Sequence, residues 1–177
     1  MKRFSQLLLA TVLVASFGIY TACGQDKSKR PSPPVNISKD VSGLTVTVDY
    51  SSPAVKGRKI WGGLEPYDKV WRTGANEATT IEVSADATIN GEKLPKGKYA
   101  LFTIPAEGAW TVIFNKVANQ WGAYEYNEAE DALRITVTPK MVEELTENLA
   151  FTIGDDGTVS FAWEYLTFNF QVAASGS

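Results

Sequence analysis

From residue 44 to residue 50 the chain alternates strictly, with Leu44, Val46, Val48 and Tyr50 set against Thr45, Thr47 and Asp49. That is the period of a strand with one face buried. The same reading recurs over residues 79–85, 87–89, 92–94, 99–104, 110–114, 133–138, 149–153, 158–164 and 166–172. Turn chemistry falls between these runs. Asn90-Gly91 supplies the positive-φ pair of a two-residue hairpin, and Pro95-Lys96-Gly97, Glu107-Gly108 and Asp155-Asp156-Gly157 mark further reversals. About nine short strands rich in Val, Ile, Thr and aromatics predict an all-β fold, an antiparallel β-sandwich or a jelly-roll-like barrel. Helix is scarce: Thr138 as cap, Pro139 in the first turn and the spacing of Met141, Val142 and Leu145 permit one short helix before Leu149. The expected core is a single one, drawn from Val46, Val48, Tyr99, Leu101, Phe102, Ile104, Val112, Phe114, Ile135, Val137, Phe151, Phe161 and Phe170. Both phases of the alternation are apolar around Leu101 and Phe102, which predicts a central strand covered on both faces.

The first residues follow a different pattern. Lys2 and Arg3 precede an apolar run over residues 7–19, interrupted only by Thr11, Ser16 and Gly18. The run is shorter than the ~20 residues that cross a bilayer as a helix, and it reads as a signal-peptide core. Ile19-Tyr20-Thr21-Ala22-Cys23 resembles the lipobox of bacterial lipoproteins, in which the cysteine is diacylated on sulfur and becomes the new N-terminus; Tyr20 stands where Leu is usual. A plain secretory signal is the competing reading, although a cut after Ala22 would put the bulky Tyr20 at the third position. A buried structural thiol is the other, beside a polar, proline-rich stretch ill suited to pack around it. The expected organisation is therefore a lipoprotein signal peptide over 1–22, lipidated Cys23 with a flexible tether over 23–34, and one β-sandwich domain over 35–177. A polyproline-like tether of this length would hold the domain about 30 Å from the bilayer.

Composition narrows the chemistry. Removing residues 1–22 takes away Lys2 and Arg3 and no acid, so the formal charge moves from −3 to −5, with 15 basic against 20 acidic residues. No basic groove with interleaved aromatics is present, and nucleic acid is excluded as a partner. The chain has no histidine and, beyond Cys23, no cysteine. That removes Ser-His-Asp and Cys-His nucleophiles and every histidine-containing metal site, and no cofactor is expected. Carboxylate chemistry, Tyr/Lys/Arg acid-base chemistry and hard-cation binding survive.

Residues 46–64 (VTVDYSSPAVKGRKIWGGL), Pro66-Tyr67, the block 70–79 (VWRTGANEAT), residues 94–105 (LPKGKYALFTIP), 110–116 (WTVIFNK) and 120–124 (QWGAY) together resemble the family catalogued as domain of unknown function 2911. The resemblance covers roughly residues 44–140. It implies a secreted or lipid-anchored β-rich protein of Bacteroidota-type bacteria, and it implies no established activity.

Two stretches are candidates for a site. The first, residues 56–79, is long for a β-domain connection and carries Arg58, Trp61, Trp71, Arg72, Asn76 and Glu77. Guanidinium and amide donors beside flat indole faces suit a sugar or an acidic oligosaccharide. The plainer reading makes Trp61 and Trp71 core plugs and pairs Arg72 with Glu77 to tie the loop down. The second, residues 121–131, interleaves aromatics with acids, but its spacing does not match a calcium loop and suits a solvated acidic loop beside packed aromatics. A carboxylate pair such as Glu77 with Glu125 or Asp49 fits glycoside hydrolysis no better than any other two acids of this chain.

The leading expectation is a non-enzymatic, membrane-anchored binding domain in the cell envelope, on the outer membrane, with a glycan or an envelope protein as partner. The rivals are a carbohydrate-active hydrolase or lyase and a purely structural envelope protein. Anchoring is directly testable: acyl chains alone would hold this chain to a membrane. Cys23→Ser should release the protein into the aqueous phase of a detergent partition or stall its processing; a processed Cys23→Ser protein still found in membranes would exclude a lipid anchor.

Overall fold

The computed structural model describes residues 26–175; Cys23 and the segment assigned to a signal peptide lie outside them. Ten strands follow in order: β1 (Pro34–Val41), β2 (Leu44–Ser51), β3 (Thr80–Val83), β4 (Ala87–Ile89), β5 (Glu92–Leu94), β6 (Gly97–Ile104), β7 (Trp110–Asn115), β8 (Asp131–Val137), β9 (Lys140–Ile153) and β10 (Thr158–Ala174). Two single 3-10 turns, Lys27–Lys29 and Glu128–Glu130, are the helical elements among the described residues. The strands form a six-stranded sheet, β1-β2-β3-β6-β7-β8, and a four-stranded one, β5-β4-β10-β9, every pair antiparallel. The large sheet is a meander, broken once where the chain leaves β3, builds the β4–β5 hairpin in the opposite sheet and returns as β6. This is the sandwich alternative of the sequence reading.

The inner faces meet through aromatic rings. Tyr50 of the large sheet lies 5.2 Å from Phe151, Phe114 lies 5.7 Å from Phe170, and Trp110 lies 5.7 Å from Phe168 of the small sheet. Every expected core residue is buried except Ile104, which is half-buried. The core is not single, however. Phe102 leaves the main cluster and joins Ala78, Ala100 and Ile113 on the outer face of the large sheet, with Val70, Ile104, Ala123 and Tyr126 against them. β6 is thus covered on both faces, as its double-phase alternation requires.

Three expectations are corrected. Residues 140–148 are not helical but form the first part of β9, where Met141 pairs with Leu166 and Thr146 with Glu164. Helical spacing and a run of good helix formers yield here to a long strand already offering its hydrogen-bonding edge, because local propensity is outweighed by tertiary context. Residues 158–164 and 166–172 are one strand, which passes through Glu164 at φ 58 as a register shift. Finally, β1 runs from Pro34, the last residue of the expected tether, through the start of the expected domain, where no strand was predicted, and pairs along its whole length with β2. An edge strand with one weakly buried face carries little apolar signal.

One turn is fixed by sterics. Gly157 has φ +83, and a Cβ there would sit 2.1 Å from the Val172 carbonyl oxygen, a backbone atom that cannot yield cheaply. Gly43 has φ +85 with nothing within 4 Å. Gly157→Ala should therefore cost about 3 kcal/mol or more and Gly43→Ala only about 1 kcal/mol, as read by urea denaturation; equal costs would mean that the β10 contact is not what selects glycine.

Candidate functional site

Strand register lays one row of side chains across the outer face of the large sheet: Asn36 opposite Asp49, Asp49 opposite Thr80, Thr80 opposite Ala100, Ala100 opposite Asn115, and Asn115 opposite Asp131. The half of this face over β6 and β7 is apolar and is covered by the loop 116–130. Buried Asn115 organises that loop. Its Oδ1 accepts from the Val117 N–H at 3.1 Å and from Gln120 Nε2 at 3.2 Å, while its Nδ2 donates to the Asn127 carbonyl at 3.0 Å and to Asp131 Oδ1 at 2.8 Å. The Lys116 N–H donates to the Glu130 carbonyl and closes the loop's base. At its far end Tyr126 donates to Asp131 at 2.7 Å and accepts from Arg134 at 2.6 Å. Burial first, and then the Asp131 bond, push the Tyr126 phenol up to about 12. Two of the four acids of this stretch are engaged structurally: Asp131 and Glu128 both pair with Arg134. Among the described residues no three acidic groups gather into a cation site.

Where this cover stops, over β1 to β3, it leaves an open groove of about 540 Å³. Asn36, Asp49, Thr80 and Lys98 line it from the sheet; Ala78 and residues 118–121 line it from the loops; Lys27 and Glu77 stand in the same lining. Asp49 is the hub of the polar floor. It accepts from Asn36 Nδ2 at 2.5 Å and from Lys98 Nζ at 2.8 Å. Partial burial pushes the Asp49 carboxyl upward, but the hydrogen bonds from Lys98 and Asn36 and the Lys98 charge outweigh it and hold the group below its ordinary value. The floor thus offers an ionised carboxylate, an ammonium, an amide and a hydroxyl within a single patch. Trp121, the one exposed tryptophan of the chain, forms part of the wall.

That wall is zipped in place. Glu77 and Trp121 form an antiparallel bridge, with the Ala78 N–H donating to the Gln120 carbonyl and the Gly122 N–H to the Asn76 carbonyl. The matching sequence segments, 70–79 and 120–124, therefore meet in space. The chain belongs to the family described as protein of unknown function, DUF2911. The match spans residues 32–172, so it takes in the whole groove floor and leaves Lys27 and Arg30 outside. No curated protein and no solved structure matches the chain.

The six candidate residues of the long loop are dispersed in this DUF2911 domain. Trp61 and Trp71 are buried, and with Trp110, Trp163 and Phe161 they form an aromatic cluster with ring centroids 4.7 to 6.4 Å apart. Their indole N–H groups and that of Trp163 have no hydrogen-bond partner. The edge-to-face packing of Trp61 on Trp163, at 5.7 Å and 88°, is a geometry in which an indole edge meets a π face. Arg58 caps its own loop, donating to the Val55 carbonyl at 3.0 Å and the Ala54 carbonyl at 2.5 Å, and does not line the groove. Arg72 does not pair with Glu77. Its Nε is buried without a partner, and its charge acts on Glu65, whose burial raises the carboxyl to about 7 against the opposing pull of Arg72 and Arg58.

Glu77 instead takes its cations from the N-terminal segment: Lys27 Nζ at 2.9 Å and Arg30 Nη1 at 2.8 and 3.1 Å. Asn76 Nδ2 donates to the Ser32 carbonyl at 3.0 Å, and the Ser52 N–H donates to the Pro33 carbonyl at 2.9 Å. The stretch expected to be a free tether is therefore strapped down from Lys27 onward, because Glu77 and Asn76 offer it partners that no sequence period advertises. Of the groove residues, Glu77 is among the sequence candidates, Trp121 lies in the second stretch, and Asp49 is named only as one of many acids that could pair with Glu77. Thr80 falls in a predicted strand and Asn36 and Lys98 in no predicted element, since period-2 patterning marks a polar face without telling a solvated one from a lined one.

Partial burial raises the Glu77 carboxyl, but hydrogen bonds from Lys27, its own backbone N–H and Arg30, with the Lys27 charge, bring it down to about 2 from 4.5. A depressed carboxylate contributes stability in full above its unfolded value and loses it as pH falls through the folded one. Wild type should therefore exceed Glu77→Gln by about 1 kcal/mol at pH 7, this pair being solvent-screened, with the gap closing as pH falls from about 4.5 to about 2. Denaturant titrations across that range measure it, and a gap independent of pH would exclude the ion pairs as its source.

Proposed function

We propose that this chain is an exported lipoprotein of the cell envelope, attached to the outer membrane through Cys23, and that its DUF2911 domain binds a hydroxyl-rich ligand, an envelope glycan, in the outer-face groove. The observation that carries the reading is the floor itself: Asn36, Asp49, Thr80 and Lys98 set donors and acceptors of both charge signs side by side in an open depression bounded by an exposed indole. Polyols are recognised through paired donors and acceptors beside a flat apolar face. Binding is favoured over hydrolysis by the electrostatics. Glycoside hydrolysis needs one carboxyl held protonated as the general acid. Asp49 and Glu77, the two acids lining the groove, are both shifted below their ordinary values and stand ionised.

A glycan array probed with the soluble chain lacking residues 1–23 tests the reading. Envelope-type glycans should bind, and Asp49→Ala or Lys98→Ala should each weaken binding about tenfold, roughly 1.4 kcal/mol. Both side chains are part-exposed and solvent-screened, so stability should move by no more than about 1 kcal/mol. Binding to no glycan, or binding by both variants as tight as by the wild type, would exclude the groove as a glycan site.

A further inference from the structure

The rim of the groove carries features its polar floor does not require. Three large apolar side chains of the loop 116–130 stand in solvent: Val117 is 44%, Trp121 56% and Tyr124 83% exposed. Beside Trp121 sits the N-terminal turn, with the side chains of Lys27 and Lys29 58% and 84% exposed and the Arg30 guanidinium 6.0 Å from the Trp121 ring centroid. Exposed indole and phenol rings flanked by lysines suit the boundary between water and anionic head groups.

A second observation is the length of chain left to reach a membrane. Lys27, Arg30, Ser32 and Pro33 are each bonded to the domain, so this stretch is not free to act as a spacer. Only three residue steps separate Cys23 from Asp26, a span of about 10 Å at full extension. The expected stand-off of about 30 Å is then not available while the strap holds.

We infer that the face bearing Val117, Trp121 and Tyr124 rests on the lipid surface, with Lys27 and Lys29 against anionic head groups and the groove opening beside the bilayer. This rests on Cys23 being the point of attachment. An acyl chain on Cys23 enters the bilayer within about 10 Å of Asp26, which places the neighbouring rim at head-group depth. The strap makes the orientation specific: Lys27 and Arg30, which follow the anchor in sequence, are bound to the groove's own wall through Glu77, and that wall is bridged to Trp121.

The experiment uses the lipidated protein purified from membranes and returned to mixed phosphatidylethanolamine and phosphatidylglycerol vesicles with brominated acyl chains. The other four tryptophans are buried, so quenching of the exposed component reads Trp121. Bromolipid should quench that component, acrylamide access should fall several-fold relative to the soluble chain lacking Cys23, and Trp121→Phe should abolish the signal. A long Gly/Ser spacer inserted between Gln25 and Asp26 should keep the protein attached while restoring acrylamide access. Attached protein whose Trp121 stays as open to acrylamide as in the soluble chain overturns the orientation. Mass spectrometry showing an unacylated Cys23 overturns the anchor, and this placement with it.

Discussion

Leu101 and Phe102 are neighbours on β6, point to opposite faces of the large sheet, and are both fully buried. Few residues of a two-layer sandwich face that demand, because the second sheet can cover only one side of the first. The inner side is closed by the small sheet. The outer side must be closed by loops, and the chain spends 116–130 and part of 70–79 on doing so. Asn115 is the device that makes such a cover affordable, since a fully buried amide with four hydrogen bonds replaces the water that a loop's backbone would otherwise need. The cover ends where β6 gives way to the polar strands β1 to β3, and the groove is that boundary. Its position follows from where the apolar outer residues stop.

The long connection from β2 to β3 serves the opposite face. Trp61 and Trp71 enter the space between the sheets and pack against Trp163 and Phe161. Burying rings of this size offsets the cost of ordering a long loop without regular structure. The three unpartnered indole N–H groups are the cost of filling a core with tryptophan, moderated by edge-to-face contact. Arg58, tied to two carbonyls of its own loop, holds the entry to this plug.

Charge is distributed to match. The groove's two acids are each held by cations from a different element, Asp49 by Lys98 of β6 and Glu77 by Lys27 and Arg30 of the N-terminal segment. Burial acts against both carboxylates and loses to hydrogen bonding and charge. At Glu65 the order is reversed: burial dominates, and two arginines that lie short of direct contact only moderate it. A carboxylate in this domain is set by whether a donor touches it, more than by how many cations are near.

The sequence by itself determined the fold class, the positions of most inner strands and the double covering of β6, because alternation and turn residues are local and each inner-facing residue reports its own burial; it did not show edge strand β1 or the strand character of residues 140–148. It also determined the chemistry that is absent, since a chain without histidine closes whole classes of site. Only the tertiary structure decided which polar residues face one another. Asn36, Asp49, Thr80 and Lys98 come from four strands spread over sixty residues, and their meeting is a matter of register between β1, β2, β3 and β6. It likewise decided that Glu77 answers to Lys27 and Arg30 across about fifty residues and not to Arg72 five residues away. Trp71 and Arg72 are adjacent and lie on opposite sides of one extended segment, so the indole goes to the core while the guanidinium stays near Gly122, out of line with Glu77. Arg72 and Glu77 are separated by a bent stretch with Thr73 at φ 54 and Asn76 at φ 59, so nearness in sequence does not bring their side chains together.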